Sequence, residues 1–308
     1  RYHCTGKFYP RPVMIYVENC RNVSFSDFTI KDAPFWTLHP AGCRNVIIDG
    51  IKIQNRLDMA NSDGIDPDHC KDVIIRNCDI QSADDCICLK NTIANRRYGS
   101  CENILVENCN LISTSAGVKI GTEGIDDFRN VTVKNCRIKK SNRGISIQIR
   151  DNGCVEDVNF ENSYFMDIIF KNCDLSNVKF YSCLFRRVEF VNCKLMGTDF
   201  SESVYDNVSI KDCLCRFANF AFMKNKEVQF INCDFQNASI IETNLKKTVF
   251  QECAFHQCEV QHSSFYNIDL SNCDLSNIIT TPEDIRGAII ESYQASSLIH
   301  LLRVKVKE

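Results

Sequence analysis

The 308-residue chain has no strong charge of either sign, no long apolar run and, ahead of Ser292, no helical periodicity. A formal net charge of −3 gives no global reason to expect nucleic acid or a membrane surface as partner. No apolar stretch approaches the roughly 18 residues that a membrane span needs. The opening Arg1-Tyr2-His3-Cys4-Thr5-Gly6 has neither an initiator Met nor an apolar signal core, so neither leader nor anchor is expected. The stretch 150–170 lacks the Gly, Pro and Ser richness of a linker.

Cysteine is abundant, at 20 residues, and its positions argue for packing rather than a disulfide framework. Eight of the nine cysteines after residue 160 (173, 183, 193, 213, 233, 253, 258 and 273) share one remainder modulo five. A small, weakly polar side chain recurs in this way when a repeat needs a compact residue inside. Buried, reduced thiols point to a cytoplasmic setting. Cys86-Ile87-Cys88 and Cys213-Leu214-Cys215 are the tightest pairs, yet neither has the spacing and His partners of a structural zinc site, so no metal and no cofactor is expected. His3, His39, His69, His256, His262 and His300 face no visible Ser or Cys nucleophile arrangement and receive no role.

Two rhythms occupy the chain. In the first half an Asn or Asp followed by a β-branched residue recurs as Asn22-Val23, Asn45-Val46, Asp72-Val73, Asn103-Ile104, Asn130-Val131 and Asp157-Val158, at separations of 23, 27, 31, 27 and 27. Five residues later a second echo follows: Asn77-Cys78, Asn108-Cys109, Asn135-Cys136 and Asn162-Ser163. A period of this length with strand-like alternation predicts a parallel β-helix, one period per coil, with Asn stacked on Asn and Cys on Cys. From 160 to 275 the period becomes five. Every multiple of five is Phe, Leu, Ile, Val or Tyr except Cys215 and Asn225, and two residues earlier sits a small or β-branched residue such as Ser163, Cys173, Thr198 or Ala218.

Quintets such as Cys173-Asp174-Leu175-Ser176-Asn177 and Cys273-Asp274-Leu275-Ser276-Asn277 resemble the pentapeptide-repeat family. The resemblance implies a four-sided right-handed β-helix with twenty residues per coil. The fold class expected is therefore all-β: a three-sided parallel β-helix over 1–159, a four-sided one over 160–291, and a C-terminal element over 292–308. Lys224-Asn225-Lys226 interrupts the apolar column and predicts a bulge or short protruding turn. The run from Ser292 to Leu302 reads as a short amphipathic helix with Ser292 as N-cap, then a basic strand from Arg303 to Lys307. Such a helix is expected to cover the open end, to pair two chains, or both.

One constellation is dense enough for chemistry: Asn61-Ser62-Asp63-Gly64-Ile65-Asp66-Pro67-Asp68, then Ser82-Ala83-Asp84-Asp85-Cys86-Ile87. One coil period separates Asp63 from Asp84-Asp85, so the acids fall side by side on neighbouring turns. Stacked acids repel unless a cation or shared proton compensates. These residues, with Trp36-Thr37-Leu38-His39-Pro40 and Gly117-Val118-Lys119-Ile120-Gly121-Thr122-Glu123, resemble the polygalacturonase family of glycoside hydrolases. The resemblance implies inverting hydrolysis, with Asp84 as general acid and Asp63 and Asp85 activating water. Inversion ordinarily needs carboxyls roughly 6.5–9.5 Å apart, which adjacent coils provide if the side chains diverge. Asn61, Lys119, Arg143 and Arg150 are the candidates for binding substrate.

Departures from that family are specific. Its Gly-His-Gly segment falls on Ser115-Ala116-Gly117, and its Arg-Ile-Lys segment on Ser146-Ile147-Gln148, so a histidine and two cations are absent there. A substrate other than plain polygalacturonate is implied. Phe160 serves both rhythms at once, and a junction without linker between two shortened solenoids points to an engineered chimera. The sequence accordingly favours a structural hybrid without turnover, homodimeric through its C-terminal helix. A pectin-directed glycosidase taking pectic oligosaccharides is the second reading. The third is a DNA-mimicking partner of a type II topoisomerase such as gyrase, as in the quinolone-resistance branch of the pentapeptide family. It is disfavoured because residues 160–308 carry 15 Lys and Arg against 19 Asp and Glu, a weak field of −4.

Overall fold

Each Asn or Asp of the long repeat occupies a corner where the backbone passes through the left-handed region, which short amide and carboxylate side chains tolerate best after glycine. The φ angle is 58° at Asn22, 55° at Asn45, 58° at Asp72, 60° at Asn103, 53° at Asn130 and 53° at Asp157. The side chains then bond along the column: Asn45 Nδ2 donates to Asn22 Oδ1 (2.7 Å), Asn103 Nδ2 to Asp72 Oδ1 (2.8 Å) and Asn130 Nδ2 to Asn103 Oδ1 (2.9 Å). The second echo marks another left-handed corner, with φ between 48° and 56° at Asn77, Asn108, Asn135 and Asn162. The residues that follow it, Cys78, Cys109, Cys136 and Ser163, are buried.

The structure, a computed structural model, describes residues 11–302, and the chain divides into two compact units, 1–170 and 171–308. The first is a right-handed parallel β-helix with three faces. One face runs through Arg21–Ser26, Arg44–Asp49, Lys71–Arg76, Cys101–Glu107, Phe128–Lys134 and Val155–Glu161. A second runs through Thr29–Lys31, Lys52–Gln54, Asp79–Ser82, Asn110–Ser113, Arg137–Lys139 and Tyr164–Lys171. The third contains Ile15–Glu18, Leu38–Ala41, Ile87–Asn91, Ala116–Gly124 and Arg143–Ile149, with 65–68 joined through single bridges such as Leu38↔Ile65 and Ile65↔Ile87. Register is strict on the first face, where Val46, Val73, Ile104, Val131 and Val158 pair in sequence and form one buried column. Phe160, Phe165 and Phe170, the first members of the five-residue rhythm, are buried in this unit.

The second unit repeats every twenty residues. Val208, Val228 and Thr248 pair in register, and bridges link Asp174, Lys194, Leu214, Asp234, Ala254 and Asp274 in turn. Rings stack along the core at that interval: Phe180 on Phe200 at 5.3 Å, Phe230 on Phe250 at 5.2 Å and Phe235 on Phe255 at 5.3 Å, all within 8° of parallel. Cys173, Cys193, Cys213, Cys233, Cys253 and Cys273 form a second buried column, and no described cysteine is in a disulfide. The corners are left-handed here too, even at Phe217 (φ 59°) and Phe222 (φ 57°), whose rings are exposed.

Three local expectations are corrected. Lys224-Asn225 does not bulge: it keeps register with Val204 and Tyr205, because Asn225 Nδ2 turns inward to donate to Thr248 Oγ1 at 3.1 Å. The C-terminal segment is not one helix but three short pieces, Ser292–Gln294, Ala295–Leu298 and Ile299–Leu302. Its N-cap is Glu291, not Ser292, since Glu291 has extended dihedrals and its backbone N–H donates to Gln294 Oε1 at 2.6 Å. Gln294 is buried, with Nε2 donating to the carbonyls of Leu270 (2.8 Å) and Cys273 (2.6 Å). A further helical turn, Pro282–Ile285, starts at Thr281, whose hydroxyl accepts from the Asp284 N–H at 3.1 Å. The basic strand expected from Arg303 to Lys307 lies outside the described residues.

Asn103→Val puts a β-branched residue into a left-handed corner and removes two ladder bonds, so it is expected to cost about 2–3 kcal/mol. Asn103→Gly, which keeps the conformation and loses only the amide, is expected to cost less; urea denaturation of both variants checks the order.

Candidate functional site

The third face of the first unit positions the acids. Register carries Tyr16, His39, Asp66, Cys88, Lys119 and Ser146 outward on successive coils in one row. Asp63 precedes this row by one short turn, and its carbonyl accepts the Thr37 N–H at 2.9 Å. Gly64 is required at the turn by space: a Cβ there would lie 2.4 Å from the Cys86 carbonyl and 2.7 Å from Ile80 Cγ2. That close approach lets Gly64 N–H donate to the Asp85 carbonyl at 2.9 Å and brings the two acidic segments side by side.

One carboxylate oxygen from each of Asp63, Asp84 and Asp85 lies within 4.8 Å of the other two. The side chains therefore converge instead of diverging to the roughly 6.5–9.5 Å of an ordinary inverting pair. Each acid has different support. Asp85 is buried, accepts the Ala116 N–H on Oδ1 at 3.0 Å and meets Lys119 Nζ on Oδ2 at 3.1 Å. Asp84 is half-buried, and among the described residues its donors are backbone groups, Asn61 N–H at 3.1 Å and Asp85 N–H at 3.1 Å. Burial, and then the charge of Asp85, pushes the Asp84 carboxyl above its ordinary range. Asp63 is buried, with Lys90 Nζ 3.6 Å from Oδ2 and, among the described residues, no hydrogen-bond donor at Oδ1. Burial dominates the Lys90 charge there, and with Asp84 and Asp85 nearby pushes Asp63 up to about 7. The arrangement sets Asp84, whose protonated form is favoured, beside two further carboxyls, a set of groups on which general acid–base chemistry can draw.

Of the candidate binding residues, Asn61 and Lys119 join this cluster. The Asn61 side chain accepts from Arg11 Nη2 at 3.0 Å, while the Lys119 ammonium is committed to Asp85. Arg143 stands one coil beyond, opposite Ala116, and makes no ion pair among the described residues. Arg150 is not at the acids: it is exposed, 3.9 Å from Glu123 and 3.9 Å from Asp151.

Four residues at the site were given no individual role from the sequence. Lys90 is a lysine in the strand Ile87–Asn91, every residue of which is buried, and that contradiction was its signal. Its ammonium lies 3.6 Å from Asp63, 3.6 Å from Asp66, 3.7 Å from Glu123 and 4.5 Å from the centre of the Trp36 ring. Asp63, Asp66 and Cys88 are also spaced as a cation would need, but Lys90 already supplies the positive charge at both carboxyls. Asp68 accepts from Thr92 N–H (2.9 Å), Thr92 Oγ1 (2.6 Å), Asn95 Nδ2 (2.7 Å) and His39 Nε2 (3.2 Å). Burial alone would raise this carboxyl, and those bonds instead hold it at about 2. His39 thus has a partner that spacing alone did not reveal.

The sequence matches the family model for glycosyl hydrolases family 28 over residues 3–253 and that for pentapeptide repeats, in 8 copies, over residues 241–277. A protein named "Probable polygalacturonase" from Vitis vinifera is 30% identical over 166 residues, which are 51% of this chain and 33% of the relative. An exopolygalacturonase of Cochliobolus carbonum is 27% identical over 148 residues, 45% of this chain and 31% of the relative. The matched region thus spans about a third of the length of these curated relatives. Among solved structures, a hyperthermoactive exopolygalacturonase from Thermotoga maritima aligns with a TM-score of 0.47 at 23% identity, covering 79% of this chain and 54% of that one. QnrB1, a plasmid-mediated fluoroquinolone resistance protein, aligns with a TM-score of 0.33 at 20% identity, covering 67% of this chain and 100% of that one.

Asp68 sets a stability limit in acid. Between its ordinary 3.8 and about 2 the unfolded chain binds a proton that the folded chain does not, so stability falls as pH falls through that window, by about 2 kcal/mol. Asp63 acts in the opposite sense: the folded chain holds its proton more tightly up to about 7, so stability falls as pH rises from about 4 to 7. Urea denaturation across pH 2–8 is expected to lose the first slope in Asp68→Asn and to show a shallower second slope in Asp63→Asn, the remainder coming from the other raised carboxyls, Asp66 and Asp84.

Proposed function

The chain belongs to glycosyl hydrolases family 28, and from that membership we propose that its aspartate trio hydrolyses a glycosidic bond in a galacturonic-acid-containing polysaccharide. The observation that carries the reading is the convergence of Asp63, Asp84 and Asp85 within 4.8 Å on one face of the β-helix. Asp84 is the general acid: burial favours its protonated form, and its partners are backbone N–H groups rather than a lysine. It gives its proton to the leaving sugar oxygen. Asp85, held by Lys119 and the Ala116 N–H, and Asp63, beside Lys90, orient the attacking water and take its proton. Because Asp63 sits at about 7, the rate is expected to rise as pH increases toward neutrality and that carboxyl ionises.

A second reading, a folded solenoid without turnover, is favoured by the residues that face Lys119 and Gly121 on the next coil. Ser146 stands opposite Lys119 and Gln148 opposite Gly121, neutral residues on the coil where a cation for a sugar carboxylate is expected, and Lys119 is already paired. Incubation with a panel of pectic oligosaccharides, read as new reducing ends, separates the two. Turnover that falls by about 10²–10⁴-fold in Asp84→Asn and in Asp63→Asn, with circular dichroism unchanged, supports the hydrolase. A folded chain that releases no reducing ends on any substrate of the panel assigns the acids to the folded solenoid.

A further inference from the structure

Asp66 and Asp68 are two residues apart on one extended segment, so their side chains leave the same side of the sheet, and both are wholly buried. Their surroundings are opposite. Asp68 accepts four hydrogen bonds, whereas neither oxygen of Asp66 accepts one from an N–H or ammonium donor among the described residues, and its carboxyl neighbour is Asp63. The cation that faces Asp66 is Lys90, at 3.6 Å from Oδ1, and the same ammonium serves Asp63 Oδ2 at 3.6 Å and Glu123 Oε2 at 3.7 Å. The other charged or titratable groups around Asp66 are His39 on the preceding coil, Cys88 on the next, and Asp85.

Charge balance then selects a proton. Among the described residues, Asp63, Asp66 and Asp85 are faced by Lys90 and Lys119 with Asp84 beside them, and Lys90 also faces Glu123, so with all four aspartates ionised the carboxylates outnumber the lysines by at least two. Buried groups in that position neutralise rather than remain ionised. Asp85 has Lys119 and a backbone N–H, and Asp84 has two backbone N–H donors. Among the described residues Asp66 has no backbone donor and only a share in Lys90. The geometry points to Asp66 as a carboxylic acid that stays protonated through neutral pH and, with Lys90, forms the positioning pair for Asp63, leaving the single lysine charge to that carboxylate. Burial, and next the neighbouring Asp63, pushes the Asp66 carboxyl in the same direction, well above its ordinary range. The positioning role rests on the reading of Asp63 as the base; the protonation of Asp66 does not.

Infrared spectroscopy of the full chain at pH 8 tests the protonation directly. Asp84, the general acid, contributes an acid band of its own, so the test is read in an Asp84→Asn background. A C=O stretch of a buried carboxylic acid that shifts in heavy water is expected in Asp84→Asn, is retained when Asp63→Asn is added and disappears when Asp66→Asn is added. Absence of the band from Asp84→Asn, or its survival in the folded Asp66→Asn double variant, overturns the inference. If that double variant does not fold, loss of the band on adding Asp63→Asn overturns it instead. The pH profile of turnover reads the positioning: Asp66→Asn keeps the rise near neutrality, because an amide replaces a neutral acid. Lys90→Met is expected to move that rise upward by about one pH unit, a tenfold loss of rate on its acidic side. A profile unmoved in Lys90→Met overturns the pairing. The band in Asp84→Asn together with no turnover by the native chain ends the hydrolase reading while leaving Asp66 protonated.

Discussion

A parallel coil can stack on its neighbour only if every turn at a given corner adopts the same backbone, and the backbone repeated in both units is left-handed. That one requirement selects Asn and Asp at the corners of the first unit, where their amides and carboxylates bond along the column. It fixes register, and register aligns the apolar columns inside and the outward rows outside. The acids depend on it as well. Asp63 meets Asp85 because the corners on either side hold their coils one strand spacing apart, about 4.8 Å, and Gly64 leaves room for the approach.

Within that frame, environment rather than residue type decides what each carboxyl does. Asp68 and Asp66 share a segment and a degree of burial, yet one is wrapped in donors and the other has only a shared lysine. The same division separates Asp85 from Asp84. A β-helix is suited to such tuning, since each coil contributes one side chain to an outward row and can change it without moving its neighbours.

Much of this was legible in the sequence because both repeats are strict. The Asn-Val echo located corners, the five-residue rhythm located the column from Phe160 to Leu275, and one coil period was enough to place Asp63 beside Asp84 and Asp85. What spacing leaves open is direction at the atomic scale. The convergence of the three acids depends on Gly64 and on side-chain rotamers. Lys90 was hidden inside an apolar strand, and its three carboxylate partners come from the coils on either side, Asp63 and Asp66 from one and Glu123 from the other. Asn225 reads as an intrusion until Thr248, one coil on, is seen to accept its amide. At the C-terminus the expectation named Ser292, a good cap by residue type, where Gln294 gives the role to Glu291 by accepting from its backbone.

Gln294 has a consequence beyond its own turn. A repeat whose every coil is a template for the next is a one-dimensional crystal, and nothing within the repeat says where growth stops. Exposed ladder carbonyls at the last coil are the surface on which another chain would add. By spending its amide on the carbonyls of Leu270 and Cys273, Gln294 takes two of those acceptors away from an incoming strand, a stopper set on the template by a single side chain.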